Sequence, residues 1–412
     1  MKKIIAIIFS GLFLGCGCNK EELPSRILDN GVVIEKPYIW WNKGNLEHLN
    51  ELWEVKTFDF NVIKELVTDD KNYLASYKLT DGKLNWKWND YWNNDFQFLG
   101  EPYQINNLYI DKVNKNTYCI DLFTGKTVWK IARNSEGNWI NSGFNDNYIE
   151  IMYGSNKING FSAHSIYVGK TDSPNFYKEI IPKYFVSKNL TVNDEVGICC
   201  KPNGFQKDGK EMIFIPFYCP NSINDGKRYI SLYNLSDDRW VYDSILISEK
   251  SKLGMSLLPL FYNDLVIINI DQSLYAINVM KGEIIWETKF NQNSSFGFGG
   301  FIIDNGTLYC AAEGDGYYAL DAETGAIKWK GERAPGTSSR MVVLNGVLYY
   351  INGGDGRLWA LDAATGKTLW RLKSPDGYSF KREINVMQGD GERKGYVLTS
   401  TWHGACAYEA ER

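Results

Sequence analysis

Ala319-Leu320-Asp321-Ala322-Glu323-Thr324-Gly325-Ala326-Ile327-Lys328-Trp329 is followed 41 residues later by a near copy, Ala360-Leu361-Asp362-Ala363-Ala364-Thr365-Gly366-Lys367-Thr368-Leu369-Trp370. Alignment on the shared Gly and Trp brings in residues 74–86, 117–129 and 274–286. In all five, Gly precedes Trp by four: Gly82, Gly125, Gly282, Gly325 and Gly366 before Trp86, Trp129, Trp286, Trp329 and Trp370. Four places before each Gly stand Lys78, Asp121, Asn278, Asp321 and Asp362. Six places before it is a column of small residues: Ser76, Cys119, Ala276, Ala319 and Ala360. Between these two columns lie Tyr77, Ile120, Ile277, Leu320 and Leu361.

The columns read as a strand with two different faces, ended by an Asp or Asn that hydrogen-bonds turn backbone and a Gly that supplies positive φ. The Trp falls on the next strand, placed to cover a neighbouring unit, and the small residue is expected to leave room for it. Asn305-Gly306 and Asn345-Gly346 upstream are type I′ turn signals, and Asp315-Gly316 and Asp355-Gly356 recur ten residues later. Asn263-Asp264 and Asn106-Asn107 replace the first turn in less regular copies. Three hairpins give four antiparallel strands, and the Trp286–Trp329–Trp370 spacings of 43 and 41 residues suit a four-stranded propeller blade.

The expectation is an all-β chain folded as an eight-bladed β-propeller. Trp240, 46 residues before Trp286, ends a degenerate copy after Tyr229-Ile230-Ser231-Leu232-Tyr233-Asn234. The 111 residues from Trp129 to Trp240 leave room for a hidden blade ending near Ile166-Tyr167-Val168 and Phe176-Tyr177. Trp53, in Leu52-Trp53-Glu54-Val55, reads as a last strand without preceding ones. Residues 384–387, 396–401 and 405–409 read as three strands without a last. One blade shared by the two termini would close the ring and remove exposed edges. Seven blades is the alternative, if residues 130–240 hold one blade and an insertion.

The stretches just described resemble the Ala-Leu-Asp-x-x-Thr-Gly-x-x-x-Trp signature of pyrroloquinoline-quinone-like (PQQ-like) repeats, as does Ile120-Asp121-Leu122-Phe123-Thr124-Gly125-Lys126-Thr127-Val128-Trp129. The resemblance covers residues 50–412, clear in five copies and faint in three. It implies that the Asp, Thr, Gly and Trp positions are structural and form no cofactor site. One branch of the family comprises quinoprotein alcohol or sugar dehydrogenases, with quinone and calcium at the propeller centre. The other is non-enzymatic and includes the propeller lipoprotein of the outer-membrane barrel-assembly machinery. Fold alone does not decide between them.

The N-terminus reads as a targeting segment. Lys2 and Lys3 precede an apolar run, Ile4 to Leu14, too short to span a bilayer. Phe13-Leu14-Gly15-Cys16-Gly17-Cys18 resembles a lipobox, with Cys16 as lipidation site and Cys18 as alternative; plain secretory cleavage is the competing reading. Cys18-Asn19-Lys20-Glu21-Glu22 resembles an export tag for the outer face of the outer membrane. Residues 1–18 are therefore read as signal and lipidation region, 19–45 as linker and 46–412 as propeller. An outer-membrane lipoprotein on the periplasmic or cell-surface face is expected.

Composition fits a large packed β-fold: 44% hydrophobic, 15% aromatic, 14 Trp and 26 Tyr. A net charge of −4 with interspersed signs leaves no nucleic-acid footprint. His48, His164 and His403 have no ligands at metal spacing, and the six cysteines beyond the N-terminus follow no disulfide or zinc pattern. The adjacent Cys199-Cys200 pair resembles the vicinal cysteines of some quinoproteins, but it sits in a degenerate copy; buried thiols, or a bond from either to Cys219, is the plainer reading. Trp86-Lys87-Trp88-Asn89-Asp90-Tyr91-Trp92, with Phe96 and Phe98, is either a sugar-stacking platform or blade packing. Trp40-Trp41 is expected to cover the propeller end, with contact to the membrane interface as the other reading. Gly353-Gly354-Asp355-Gly356 reads as a hairpin turn, and Asp237-Asp238 and Asp69-Asp70 as solvated turns. No Ser-His-Asp or paired-carboxylate site is apparent. The expected role is non-catalytic: a scaffold binding an envelope protein or complex, tethered to the membrane by its lipid and needing no cofactor or metal. Glycan binding is the alternative, and a PQQ-dependent dehydrogenase the third reading.

Overall fold

The computed structural model describes residues 26–43, most of 49–90, most of 103–180 and most of 197–412. Among these residues there are strands and turns and no helix. The strands form small antiparallel sheets in a β-propeller arrangement. Six sheets consist of consecutive strands alone, spanning residues 49–88, 103–132, 138–180, 197–251, 260–289 and 301–330. The first and fourth of these carry a fifth strand, Val55–Phe58 and Asn203–Lys207 respectively.

The last two sheets are composite. Strands Val342–Leu344, Val347–Ile351, Leu358–Asp362 and Thr368–Leu372 are extended at their outer edge by β2 (Val32–Glu35) and β1 (Ile27–Asp29). Strands Lys381–Gln388, Gly395–Ser400 and Gly404–Glu409 are completed by β3 (Tyr38–Lys43), which runs antiparallel to the last of them. The expectation of eight like four-stranded blades is corrected: six self-contained blades are joined by two sheets that mix both ends of the chain. The seven-blade alternative also falls, because residues 138–180 and 197–251 form separate sheets. The stretch read as linker, 19–45, contains β1 to β3. The strand that completes the C-terminal sheet holds Trp40; Trp53, to which that role was given, lies outside the described residues.

Buried side chains gather between neighbouring sheets. Leu74, Tyr109 and Ile120 join the first and second; Phe214, Val266 and Ile277 the fourth and fifth; Tyr309, Leu348 and Leu361 the sixth and seventh. Trp40, Ala75, Leu79 and Leu398 join the eighth and the first. A sheet packed on both faces has no solvent side, so its middle strands are apolar throughout, as in the fully buried Val347–Ile351. The alternation expected from sequence survives on outer strands such as Ile284–Lys289, where exposed and more buried residues alternate from Ile285 on.

The repeat columns turn out to describe one joint. Asp321 accepts hydrogen bonds from the Thr324 amide (3.0 Å) and hydroxyl (2.9 Å), closing the turn at Gly325, which sits at φ +71°. Trp286 of the preceding sheet lies on that turn: a Cβ on Gly325 would stand 2.7 Å from its indole. The indole N–H donates to the Ala322 carbonyl at 3.2 Å. Trp329 lies on Gly366 in the same way and donates to Ala363 (3.0 Å); Trp86 lies on Gly125 and donates to Leu122 (3.0 Å). Trp40 lies on Gly82 and donates to the Leu79 carbonyl. The space for each ring is thus the glycine of the next sheet. The small residue expected to provide it is the Trp's own cross-strand partner, as in Ala319 opposite Trp329 and Cys119 opposite Trp129, beside a bulge.

Three anchors differ. Trp240 stacks edge-on against Tyr233 (4.9 Å between centroids) and packs towards the third sheet. Its expected place on the fifth sheet is taken by Ile245, which covers Gly282, and by Tyr242, whose hydroxyl donates to the Val279 carbonyl at 2.9 Å. Trp370 is fully buried and donates instead to the Glu411 carboxylate at 2.8 Å. Trp129 is half-buried, and residues 171–175, which follow the next sheet's third strand, lie outside the described residues.

Gly209 sits at φ +72° with nothing near a would-be Cβ, whereas Gly325 has the same φ under Trp286. Gly209→Ala is expected to cost about 1–2 kcal/mol from backbone strain alone. Gly325→Ala should cost about 1–3 kcal/mol more, because the indole must be displaced from a packed seat. Denaturant midpoints of the two variants check this, and equal losses would show that the seat contributes nothing.

Candidate functional site

Each sheet presents two unlike ends. At one end the Asn-Gly hairpins and Asp-Thr-Gly turns repeat and are tied together, as in Ala322 N–H to Gly306 C=O (3.0 Å) and Ala363 N–H to Gly346 C=O (2.9 Å). The Asn and Gly of both hairpins have positive φ, as expected of type I′ turns. At the other end lie the connections between sheets and the hairpins joining second to third strands. Apart from the recurrent Asp315-Gly316 and Asp355-Gly356 hairpins, those segments do not share the repeat signature, and loops freed from structural duty commonly carry function.

The most built-up part of that end joins the seventh and eighth sheets. Asp376, in the connection 373–380, accepts hydrogen bonds from Thr401 Oγ1 (2.5 Å), Ser374 Oγ (2.9 Å) and the Tyr378 amide (3.1 Å). His403 Nδ1 lies 3.3 Å from its Oδ2. Burial works against ionisation of this carboxyl, but the hydrogen bonds outweigh it and hold Asp376 below the usual carboxylate range. The cluster pins the connection to the 401–403 hairpin. Ser374 faces the carboxylate and the Tyr378 carbonyl, not the imidazole. Tyr378 stands above, 57% exposed, with its ring edge-on to His403 at 4.4 Å between centroids. A rigidly held, exposed aromatic is suited to contact with a protein. The neighbouring Arg371 lies over Trp359 (4.4 Å) and pairs with Glu332 (2.5 Å). Sequence reading missed this group because Asp376 and His403 are brought together only by strand pairing.

The other sequence candidates resolve as structure. Trp88 is buried against Tyr118 and donates to Thr127 Oγ1 at 2.8 Å, and Trp86 sits in its seat, so the described part of the aromatic run is packing. Tyr91, Trp92, Phe96 and Phe98 lie outside the described residues, as do Cys16, Cys18, His48, Asp69 and Asp70. The side chains of His164, Phe176, Tyr177 and Cys219 lie outside them too. Cys199 and Cys200 are free thiols packed among Met212, Phe214 and Tyr218. Burial pushes the Cys199 thiol up to about 12. Among the described residues no three His, Cys, Asp or Glu side chains gather as a metal site. Asp238 is no bare turn residue, since it ties to Lys178 of the third sheet and to Tyr233.

A family model described as outer membrane protein assembly factor BamB matches residues 270–391. Solved propellers of similar fold include BamB from Moraxella catarrhalis (TM-score 0.55, 10% identity, covering 91% of this chain and 98% of that one). A europium-containing methanol dehydrogenase is also similar (TM-score 0.62, 11% identity, 89% and 85% covered). The match to the family model is confined to residues 270–391, and the likeness to the solved structures is one of fold. A curated PQQ-like relative, the dehydrogenase subunit of a quinone alcohol dehydrogenase from Gluconobacter oxydans strain 621H, is 34% identical over 131 residues. That match covers 29% of this chain and spans only 16% of the relative's length.

Lys36, beyond β2, is buried; its ammonium donates to the Glu409 carbonyl (2.6 Å) and lies 3.9 Å over the Trp370 ring. Arg26 pairs with Glu411 (2.9 Å), which accepts from Trp370. Burial lowers the Lys36 pKa to about 8, against attraction from Glu411. Between about pH 8 and the ordinary lysine value the unfolded chain therefore holds a proton that the folded chain has released, and stability rises with pH. Thermal unfolding of the Lys36→Met variant is expected to lack that increment relative to the parent between pH 8 and 10. Parallel pH profiles for the two would contradict the assignment.

Proposed function

We propose that this protein is a lipid-anchored propeller of the cell envelope, its sheets closed into one ring, acting as a non-catalytic scaffold that holds another protein on its connection end. The observation that carries the reading is the contrast between the two ends. The Asp-Thr-Gly turns and the tryptophan seats lie at the turn end, whereas the connection end holds the pinned 373–380 segment and its exposed Tyr378. The match to the BamB family model supports an envelope-assembly partner, and the lipobox-like segment supports attachment to the outer membrane. The pairing of β3 with Gly404–Glu409 and the seat of Trp40 on Gly82 support ring closure.

The partial identity to a quinone-dependent dehydrogenase favours a second reading, a PQQ enzyme. The two readings separate cleanly in one experiment on tagged protein cross-linked in native envelopes. A scaffold returns a defined membrane complex, and Tyr378→Ala lowers its recovery by about tenfold, the effect of losing a contact worth about 1.4 kcal/mol. Recovery of nothing above background, with purified protein taking up PQQ and calcium as judged by absorbance, would replace the scaffold by the enzyme.

A further inference from the structure

We infer that the rim formed by β1, at the outer edge of the seventh sheet, lies against the bilayer surface, with Ile27 and Leu28 entering its interface. The inference rests on the lipoprotein reading and adds to it an orientation. The N-terminal strands are firmly held. Val33 is buried in the core cluster of the seventh and eighth sheets, and β2 pairs in parallel with the strand carrying Trp370. Lys36 and Arg26 fix the two ends of this segment to Glu409 and Glu411.

The tether is therefore short. Eight peptide steps separate Cys18 from Arg26, and ten separate Cys16 from it. Fully extended, these reach about 26–29 Å and about 33–36 Å. A folded chain of this length has a radius of gyration of about 22 Å and is about 55 Å across. The tether is shorter than the body it holds, so the side bearing β1 stays next to the membrane and the opposite rim cannot take its place. A 27-residue linker, as the sequence alone implied, would have imposed no such limit.

The surface at this spot suits the occupant. All three residues of β1 are exposed, Ile27 at 40% and Leu28 at 55%, beside the half-exposed Arg26 side chain. Single exposed apolar residues need no explanation, but an adjacent pair at the root of a lipid tether can partition into the headgroup boundary. Ile284 and Ile285 form a similar exposed pair on the fifth sheet and provide a control of like chemistry without a tether.

The test uses the full lipidated chain in vesicles of phosphatidylethanolamine and phosphatidylglycerol. A nitroxide is placed on Leu28→Cys or Ile285→Cys, and the parent chain is labelled in parallel to correct for the half-buried Cys200. Collision with dissolved oxygen and with an aqueous nickel complex reports where each label sits. The expected result is a several-fold higher oxygen-to-nickel ratio at position 28 than at 285. Equal, water-like ratios at both positions in acylated protein would overturn the docking while leaving the anchor intact. A label at 28 shielded from both reagents would mean that a protein covers β1, and would overturn it too. Mass spectrometry finding no acyl group on Cys16 or Cys18 would remove the anchor and the inference together.

Discussion

The joint on which this propeller depends is an indole laid flat over a glycine of the next sheet, with its N–H on the carbonyl just beyond the Asp position. Removing a packed Trp ring costs about 3–5 kcal/mol, whereas a single hydrogen bond is worth about 1 kcal/mol, so the ring supplies most of the adhesion and the N–H fixes its direction. The glycine is needed twice over. The turn demands positive φ, and the ring leaves no space for a side chain. Everything nearby follows: the Asp that closes the turn, the threonine that satisfies it, and the bulge that aims the Trp.

The joint is defined by shape and one donor, and the chain exploits this where its repeats are worn. Between the fourth and fifth sheets Ile245 supplies the cover and Tyr242 the donor, dividing the work of one Trp between two residues. Between the eighth and first sheets the Trp comes from β3, far from the remainder of its sheet in sequence. Because the turn end carries these joints, the connection end is free to vary, and the pinned Tyr378 loop lies there. The N-terminal strands β1 to β3 are paired into the last two sheets.

The parts of the fold legible in sequence were those built from local contacts. The Asn-Gly turns, the Asp-to-Gly turn and the Trp strand are each set by neighbours a few residues away. Reading failed where partners were distant. Trp53 looked like the unpaired outer strand, although Trp40 stands 46 residues before Trp86, the same spacing as Trp240 to Trp286. That regularity was available and was masked by the expectation of a linker. The small-residue column was visible but misassigned, since cross-strand pairing within a sheet and docking between sheets leave the same trace. Asp376 and His403 left no trace at all, because their meeting depends on the register of strands that close around them.

The central claim is that ring and glycine act as one unit, and a double-mutant cycle at the sixth-to-seventh seam tests it most directly. Trp329→Leu, Gly366→Ala and the double variant would be compared by denaturant unfolding. With the ring gone, Gly366→Ala should cost only backbone strain, giving a coupling of at least about 1 kcal/mol between the two positions. Losses that simply add would mean that Trp329 and Gly366 stabilise the propeller independently, and would contradict the joint.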